Sequence, residues 1–298
     1  MGPLRFFVSL TSNDNDYQME QAAAAQEAVR RLGVEVEILY AHNDAIEQSQ
    51  QILKVIQSAA DLRPAGIVVE PVGTALASAA RAAVTAGIGW ALLNREADYI
   101  SELRRLGTTP VFRISSDHKE IGRIQGRQFR ALLPNGGAVL YIQGPQGDAA
   151  DGRTSGMLET KPANITTRML RGNWSAASAQ RAVSSWLGLS TSRDEVIDVV
   201  GAQNDAMGMA ARQTFEELSP AEREKRRNVV FTGCDGLPKT GQEWVRRGLL
   251  KATVVVPANT DMALEMLVKA IHDKVNPPEV AFTQVTGFPG IEVLAGKK

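Results

Sequence analysis

The stretch HKEIGRIQGRQFRALLPNGGAVLYIQ, residues 118–143, decides the fold. Its first part places Ile121, Ile124, Phe129 and Leu132 on one side of a helix spanning 118–133. Pro134-Asn135-Gly136-Gly137 ends that helix, because proline cannot continue it and glycine readily takes the left-handed turn that follows. Ala138–Gln143 is then an apolar run of strand length. The residues before it have already run through the same strand and helix alternation, so this stretch marks a restart of the pattern.

Upstream, strands are expected over Leu4–Leu10, Val34–Tyr40, Gly66–Glu70, Gly89–Asn94 and Val111–Ser115, with helices at 17–32, 45–61 and 74–86. In the second helix Ile52, Val55, Ile56 and Ala59 line one face, and Asp44 with Glu47 forms a capping pair at its start. Downstream, strands are expected at 165–170, 197–202, 228–233, 252–256 and 280–286, and helices at 150–159, 176–187, 206–218, 238–247 and 260–273. Strands alternating with helices give parallel sheets with crossover helices. Two such sets in tandem predict an α/β chain with two doubly wound, Rossmann-like lobes. The segment SPAEREKRR, Ser219–Arg227, reads as a solvated loop.

A length of 298 residues allows each lobe its own core. Lys plus Arg equals Asp plus Glu at 33 each, so no basic footprint for nucleic acid or an anionic membrane is expected. Cys234 is the only cysteine, which excludes an internal disulfide and any CxxC pair. No apolar run approaches the ~20 residues of a membrane helix, and no basic-then-apolar leader is recognisable ahead of Leu4. No GxGxxG follows the first strand, no GxxxxGK[ST] occurs, and His42, His118 and His272 are scattered, so no cofactor or metal is expected. Asp148 and Asp235 as a glycosidase pair, or Cys234 as a nucleophile, lack supporting residues; catalysis is not expected.

In open α/β sheets ligands bind beyond the carboxyl ends of the strands. Here those ends are polar: Thr11–Gln18 after the first strand, Glu70 after the third, Asn94-Arg95-Glu96 after the fourth. In the second set they are Gln143–Asp148, Gly172-Asn173-Trp174, Gln203-Asn204-Asp205 and Cys234-Asp235-Gly236. Carboxylates, amides, arginine and aromatic rings suit a polyhydroxylated ligand, since planar groups bridge adjacent hydroxyls while a ring covers an apolar face. Several have structural alternatives: Asp205 reads as a helix cap, Trp174 as either a stacking ring or lobe packing, and Asn15 with Tyr17 as either contacts or a turn.

From Phe7-Val8-Ser9 through Leu93-Asn94-Arg95, Ser116-Asp117, Gln143-Gly144, Arg153 with Gly156, Asn204-Asp205-Ala206-Met207 and Cys234-Asp235-Gly236 to Leu250-Lys251-Ala252-Thr253, the chain resembles the ribose- and galactose-type periplasmic sugar-binding proteins. Their type I fold is shared with the effector domains of lac-repressor-type regulators. The resemblance implies ligand contact by Asn15, Tyr17, Glu70, Asn94 and Arg95 in the first lobe, and by Asp148, Arg153, Trp174, Asn204 and Asp235 in the second. Departures fall within that set. The family usually shows Asp-Arg where Asn94-Arg95 stands, an aromatic pair at Tyr17-Gln18, Asn or Asp at Glu70 and a bulky apolar residue at Cys234. A glutamine it carries near the last crossover matches only Val256 or Pro257.

The resemblance also implies an N-terminal lobe of residues 1–116 plus 257–281 and a C-terminal lobe of 117–256 plus 282–298. A hinge of three crossings would lie near Ser115–Asp117, Val256–Asn259 and Ala281–Thr283. It implies a periplasmic or extracellular, monomeric solute-binding protein that hands a small sugar or polyol to an ABC transporter permease. The alternatives are a regulator's effector domain and a membrane receptor's sensing domain. No helix-turn-helix precedes Leu4 in this sequence, so operator binding is not expected of it.

Overall fold

Strands made almost wholly of Val, Ile, Phe and Leu are stable only where both sheet faces are covered. The computed structural model, which describes residues 2–192 and 195–296, shows this arrangement twice. The first run is β1 (Arg5–Leu10), α1 (Asp16–Leu32), β2 (Glu35–Tyr40), α2 (Ala45–Ile56), β3 (Gly66–Val69), α3 (Ala77–Thr85), β4 (Gly89–Leu93), α4 (Tyr99–Leu103) and β5 (Val111–Ser116). The second is α5 (His118–Leu132), β6 (Gly137–Gln143), α6 (Asp148–Thr160), β7 (Ile165–Arg171), α7 (Ala176–Leu187), β8 (Val199–Ala202), α8 (Asp205–Glu216), α9 (Pro220–Lys225), β9 (Val230–Thr232), α10 (Gly241–Arg246) and β10 (Thr253–Val255). Then follow α11 (Thr260–Asp273), β11 (Val280–Thr283), β12 (Thr286–Phe288) and α12 (Ile291–Leu294). Two compact units result, one holding the chain through Ser115 with Ala258–Thr283, the other Ser116–Pro257 with the segment from Gln284.

The first unit's sheet has the order β11-β5-β4-β3-β1-β2. From β1 to β5 all pairings are parallel, with Val8 opposite both Ile38 and Val68. Alternate residues serve alternate faces: Phe7, Ile67, Val69, Trp90 and Leu92 pack under α2 and α3, and Phe6, Val8, Leu10, Val68 and Phe112 under α1 and α11. The second unit repeats the scheme with the order β7-β6-β8-β9. Leu140, Ile142 and Val200 face α7 and α8, while Val139, Tyr141 and Val199 face Phe129 of α5 and Met157 of α6. In each sheet the first strand has its successor on one side and the third strand on the other, so the order reverses between β1 and β3 and between β6 and β8.

Glycines set the closest helix contact. A Cβ on Gly122 of α5 would collide with the Arg153 carbonyl of α6, and one on Gly156 with the Lys119 carbonyl of α5. The two backbones therefore touch, and α6 is pinned at the turn that carries Arg153.

Several local expectations change. Ser219–Arg227 contains the helix α9: Ser219 caps it, accepting from Glu222 N at 3.4 Å, and Pro220 takes the first turn, where no donor is needed. The single strand expected at 280–286 is two, β11 on the first unit's sheet and β12 antiparallel to β10 in the second. Helix α2 stops at Ile56, so Ala59 lies outside it and is exposed. Asp44 does cap α2, but Glu47 turns instead to Gln51 Nε2 at 3.0 Å and to His42.

Candidate functional site

In the first unit, the switch point between β1 and β3 brings Thr11–Gln18 next to Glu70. Asn15 caps α1, its Oδ1 accepting from Gln18 N at 2.9 Å, and is exposed; Tyr17 lies in the first helical turn, half-buried. Arg95, just after β4, is exposed. Around Glu70 the structure gathers a polar cluster. Gln21 Nε2 reaches Glu70 Oε2 at 3.4 Å and Asn259 Oδ1 at 2.7 Å, and Asn259 Nδ2 donates to Asn94 Oδ1 at 2.7 Å. That last bond assigns the Asn94 amide orientation and leaves its Nδ2 enclosed, with no hydrogen bond of normal geometry. Below, fully buried Gln48 donates to Ser9 Oγ and to the Glu70 carbonyl and accepts from Val72 N, fixing the loop after β3.

Burial pushes the Glu70 carboxyl above its ordinary 4.5, opposed by the amides of Gln18 and Asn94, the charge of Arg95, and Gln21. A carboxyl raised in this way binds more protons folded than unfolded. Its ionisation therefore costs stability as pH rises from the ordinary value through the raised one.

In the second unit, the switch point lies between β6 and β8. Gln203, fully buried, accepts from Gly144 N at 2.8 Å and donates to the Ala150 carbonyl at 2.9 Å, tying the loop after β6 to α6. Arg153 is only 7% exposed. Its guanidinium donates to the Gln203 carbonyl, lies 5.2 Å from the centre of the Trp174 ring and 4.0 Å from Asp235 Oδ1. The Trp174 ring rests directly on Gly144, where a Cβ would collide with it. Asn204 caps α8 through Oδ1 to Met207 N at 2.8 Å and spends its Nδ2 on the Trp174 carbonyl at 2.8 Å. Arg153, Trp174, Asn204 and Asp235 are thus one connected set, whereas Asp148 stands apart, exposed in the first turn of α6.

Asp205 is not the cap that the sequence suggests. The capping residue is its neighbour Asn204, and Asp205 is buried with Oδ2 accepting from Gly236 N at 2.7 Å and Oδ1 from Thr253 Oγ1 at 2.7 Å. Burial, reinforced by the charge of Asp235, raises its carboxyl well above the usual range. Removing it strands two buried partners, so Asp205→Ala should lower the unfolding free energy by about 2–4 kcal/mol in chemical denaturation, whereas a loss under about 0.5 kcal/mol would mean that the loop stands without it. Cys234 is buried and its thiol is pushed up by that burial, which leaves it unreactive.

Three candidate residues have positive φ without being glycine: Asn94 at 54°, Trp174 at 71° and Asp235 at 107°. Such conformations persist only where surrounding bonds over-determine them, and they concentrate where a side chain must be aimed. Asp235 is held by Asp235 N to the Val254 carbonyl and Val256 N to its own carbonyl, each at 2.9 Å.

Gln21 and Gln48 are amides that sequence reasoning passes over, Asn259 is named only as a bound of the second crossing, and Gln18 and Gln203 are named at strand ends but not as candidate contacts. A signal existed in the helix pattern for Gln18, Gln21 and Gln48. Gln18 and Gln21 share the buried face of α1 with Ala25 and Ala28, and Gln48 that of α2 with Ile52 and Ile56, so each is a polar break in an apolar stripe. Asn259, two residues beyond Pro257, is the amide that reaches Asn94. Among the described residues no group of three or more His, Cys, Asp or Glu is placed to hold a metal, and no helix is long and apolar enough to cross a membrane.

Solved structures similar in fold share about a fifth of their sequence with the chain. A periplasmic solute-binding protein of an ABC transporter from Actinobacillus succinogenes 130z, with bound D-allose, matches with TM-score 0.82 at 20% identity, over 98% of this chain and 99% of that one. The arabinose ABC transporter's periplasmic component from Shewanella sp. ANA-3, bound to L-arabinofuranose, gives 0.80 at 19% identity, over 98% and 93%. The Caulobacter myo-inositol binding protein, bound to myo-inositol, gives 0.77 at 21%, over 99% and 96%. No match is found among curated proteins. The family model described as periplasmic binding protein domain matches residues 6–274, and with the doubly wound units and their polar switch points it places this chain in the periplasmic binding protein family.

Proposed function

We propose that the chain is the solute-binding subunit of an ABC transporter and captures one small sugar or polyol without acting on it chemically. The ligand would take contacts from both units, which close on it as a hinge. The observation that carries this reading is the set of aimed, positive-φ residues Asn94, Trp174 and Asp235, each at a strand's carboxyl end and each seated on a buried hydrogen-bond or packing support. Their chemistry is an amide, an indole and a carboxylate beside a guanidinium, which is the equipment for hydroxyl recognition. The solved structures of similar fold described above hold allose, arabinofuranose and myo-inositol, in keeping with that chemistry.

Asn15, Tyr17, Glu70, Asn94 and Arg95 are proposed to serve the ligand from the first unit, and Asp148, Arg153, Trp174, Asn204 and Asp235 from the second. Asn15 and Asn204 double as helix caps. The protein would work as a monomer in the periplasm, with a permease as its partner. Ligand drives closure only through its greater affinity for the closed form, and contacts from both units supply that difference.

A thermal-shift screen against pentoses, hexoses, inositols and amino sugars tests the reading. At a hundred-fold excess over Kd, a cognate ligand adds about 2.7 kcal/mol, a rise in Tm on the order of 5 °C. A flat response across all four classes would refute sugar or polyol capture.

A further inference from the structure

We propose that the ligand carries a protonated amine beside its hydroxyls, and that Glu70 is the residue that reads it. This rests on the capture reading above and names the substrate class of the same site. Glu70 is the half-buried carboxylate at the β1/β3 switch point, and the partners found for it are neutral: the amide of Gln21 at 3.4 Å and the nearby amides of Gln18 and Asn94. No lysine, arginine or histidine among the described residues forms an ion pair with it. Arg95 acts on it only through space from an exposed position.

The neighbourhood does not supply the missing cation. Asp14, which accepts from Ser12 Oγ, and Asp16 in the first turn of α1 add no cation, and Glu96 is already paired with Arg113 at 3.1 Å. The one charge that acts on Glu70 is thus that of an exposed arginine.

The second unit contrasts. There Arg153 is accompanied by Asp235 at 4.0 Å, so that cluster carries its own counter-charge. A desolvated carboxylate without a cation is costly, and an ammonium group removes that cost where a hydroxyl does so only in part. Asn259 holds the Asn94 amide oxygen at 2.7 Å, so the amide group of Asn94 is turned to the carboxylate and supplies a neutral contact where an ammonium would supply a charge. Burial, by raising the Glu70 carboxyl, makes the pairing pH-dependent: ionised Glu70 and a protonated amine must coexist.

The test uses matched pairs, D-glucose with D-glucosamine, D-galactose with D-galactosamine, and myo-inositol with an aminodeoxyinositol. Each is titrated calorimetrically into the wild-type protein and Glu70→Gln between pH 5 and pH 9. In at least one pair the amine should bind about tenfold or more tightly than its neutral partner. Its affinity should rise with pH as Glu70 ionises and fall again as the amine loses its proton. Glu70→Gln should erase the preference and the pH dependence while its Tm at pH 7 stays at or above that of the wild type, because the carboxylate it removes is poorly solvated.

If neutral members bind as tightly as their amines in the wild type, the amine proposal fails and the capture reading stands. Binding of no member overturns the amine proposal, and the wider screen of pentoses, hexoses, inositols and amino sugars then decides the capture reading. The wild-type comparison is decisive by itself should Glu70→Gln fold poorly.

Discussion

Arg153→Ala is expected to weaken ligand binding by about 2–4 kcal/mol, roughly 30- to 1000-fold, while leaving a cooperative unfolding transition. The magnitude follows from where the guanidinium sits. Arg153 is 7% exposed, so its bonds are made out of competition with water, and charge-assisted bonds there are about twice as strong as neutral ones. It is the common neighbour of three candidate residues, lying over the Trp174 ring at 5.2 Å, near Asp235 at 4.0 Å, and on the carbonyl of Gln203, which precedes Asn204. Truncation therefore removes a donor, leaves Asp235 without that cation, and frees one face of the indole. Titration calorimetry measures the loss. Intrinsic fluorescence provides a second readout, since a ligand that engages Arg153 or Asp235 changes the surroundings of Trp174. An affinity within threefold of the wild type would remove Arg153 from the site.

Gly156→Ala should be the most damaging single methyl in the second unit, lowering the unfolding free energy by about 3 kcal/mol and Tm on the order of 6–12 °C. Overpacking is usually relieved by a neighbouring side chain shifting, but here the obstacle is backbone. The new Cβ would collide with the Lys119 carbonyl, and Arg123 N lies 2.9 Å away, so α5 and α6 must separate along their length. Because α6 carries Arg153 one turn before Gly156, separation would also move the guanidinium. Affinity should fall together with stability. Gly188→Ala is the control: its Cβ would meet only ordinary contacts at 3.5 Å, and its φ of −73° suits alanine, so stability should hold or rise slightly. Equal melting temperatures for Gly156→Ala and Gly188→Ala would contradict the close packing of α5 on α6.

Much of the architecture was legible in the amino-acid order because it depends on short-range physics. Residues 118–143 announce the second α/β set through a helical stripe, a Pro-Asn-Gly-Gly stop and a strand-length apolar run, each a property of neighbouring residues. Strand ends could be named for the same reason, and with them Glu70, Asn94, Trp174, Asn204 and Asp235. What failed locally also has local causes. Ser219–Arg227 is charged enough to read as a loop, yet Ser219 and Pro220 make a helix start whose polar faces need no core. The run 280–286 holds β11 and reaches the first residue of β12 with one β-rich composition, so composition could not show that the two join different sheets.

The sequence by itself determined the class of fold, the two doubly wound sets and the positions at which polar residues leave the strands, because hydrophobic periodicity and turn chemistry are written residue by residue. Only the tertiary structure decided what those residues do to one another. Asn259 reaches Asn94 and Gln21 across separations of 165 and 238 residues, and Asp205 reaches Thr253 across 48. Such pairings depend on which strands lie side by side, and no local pattern encodes them. The same holds for Glu70: its residue type is plain in the sequence. Its amide partners, Gln21 at 3.4 Å among them, are a fact about the space around it, and that space exists only once β1, β3 and β4 have been laid next to each other.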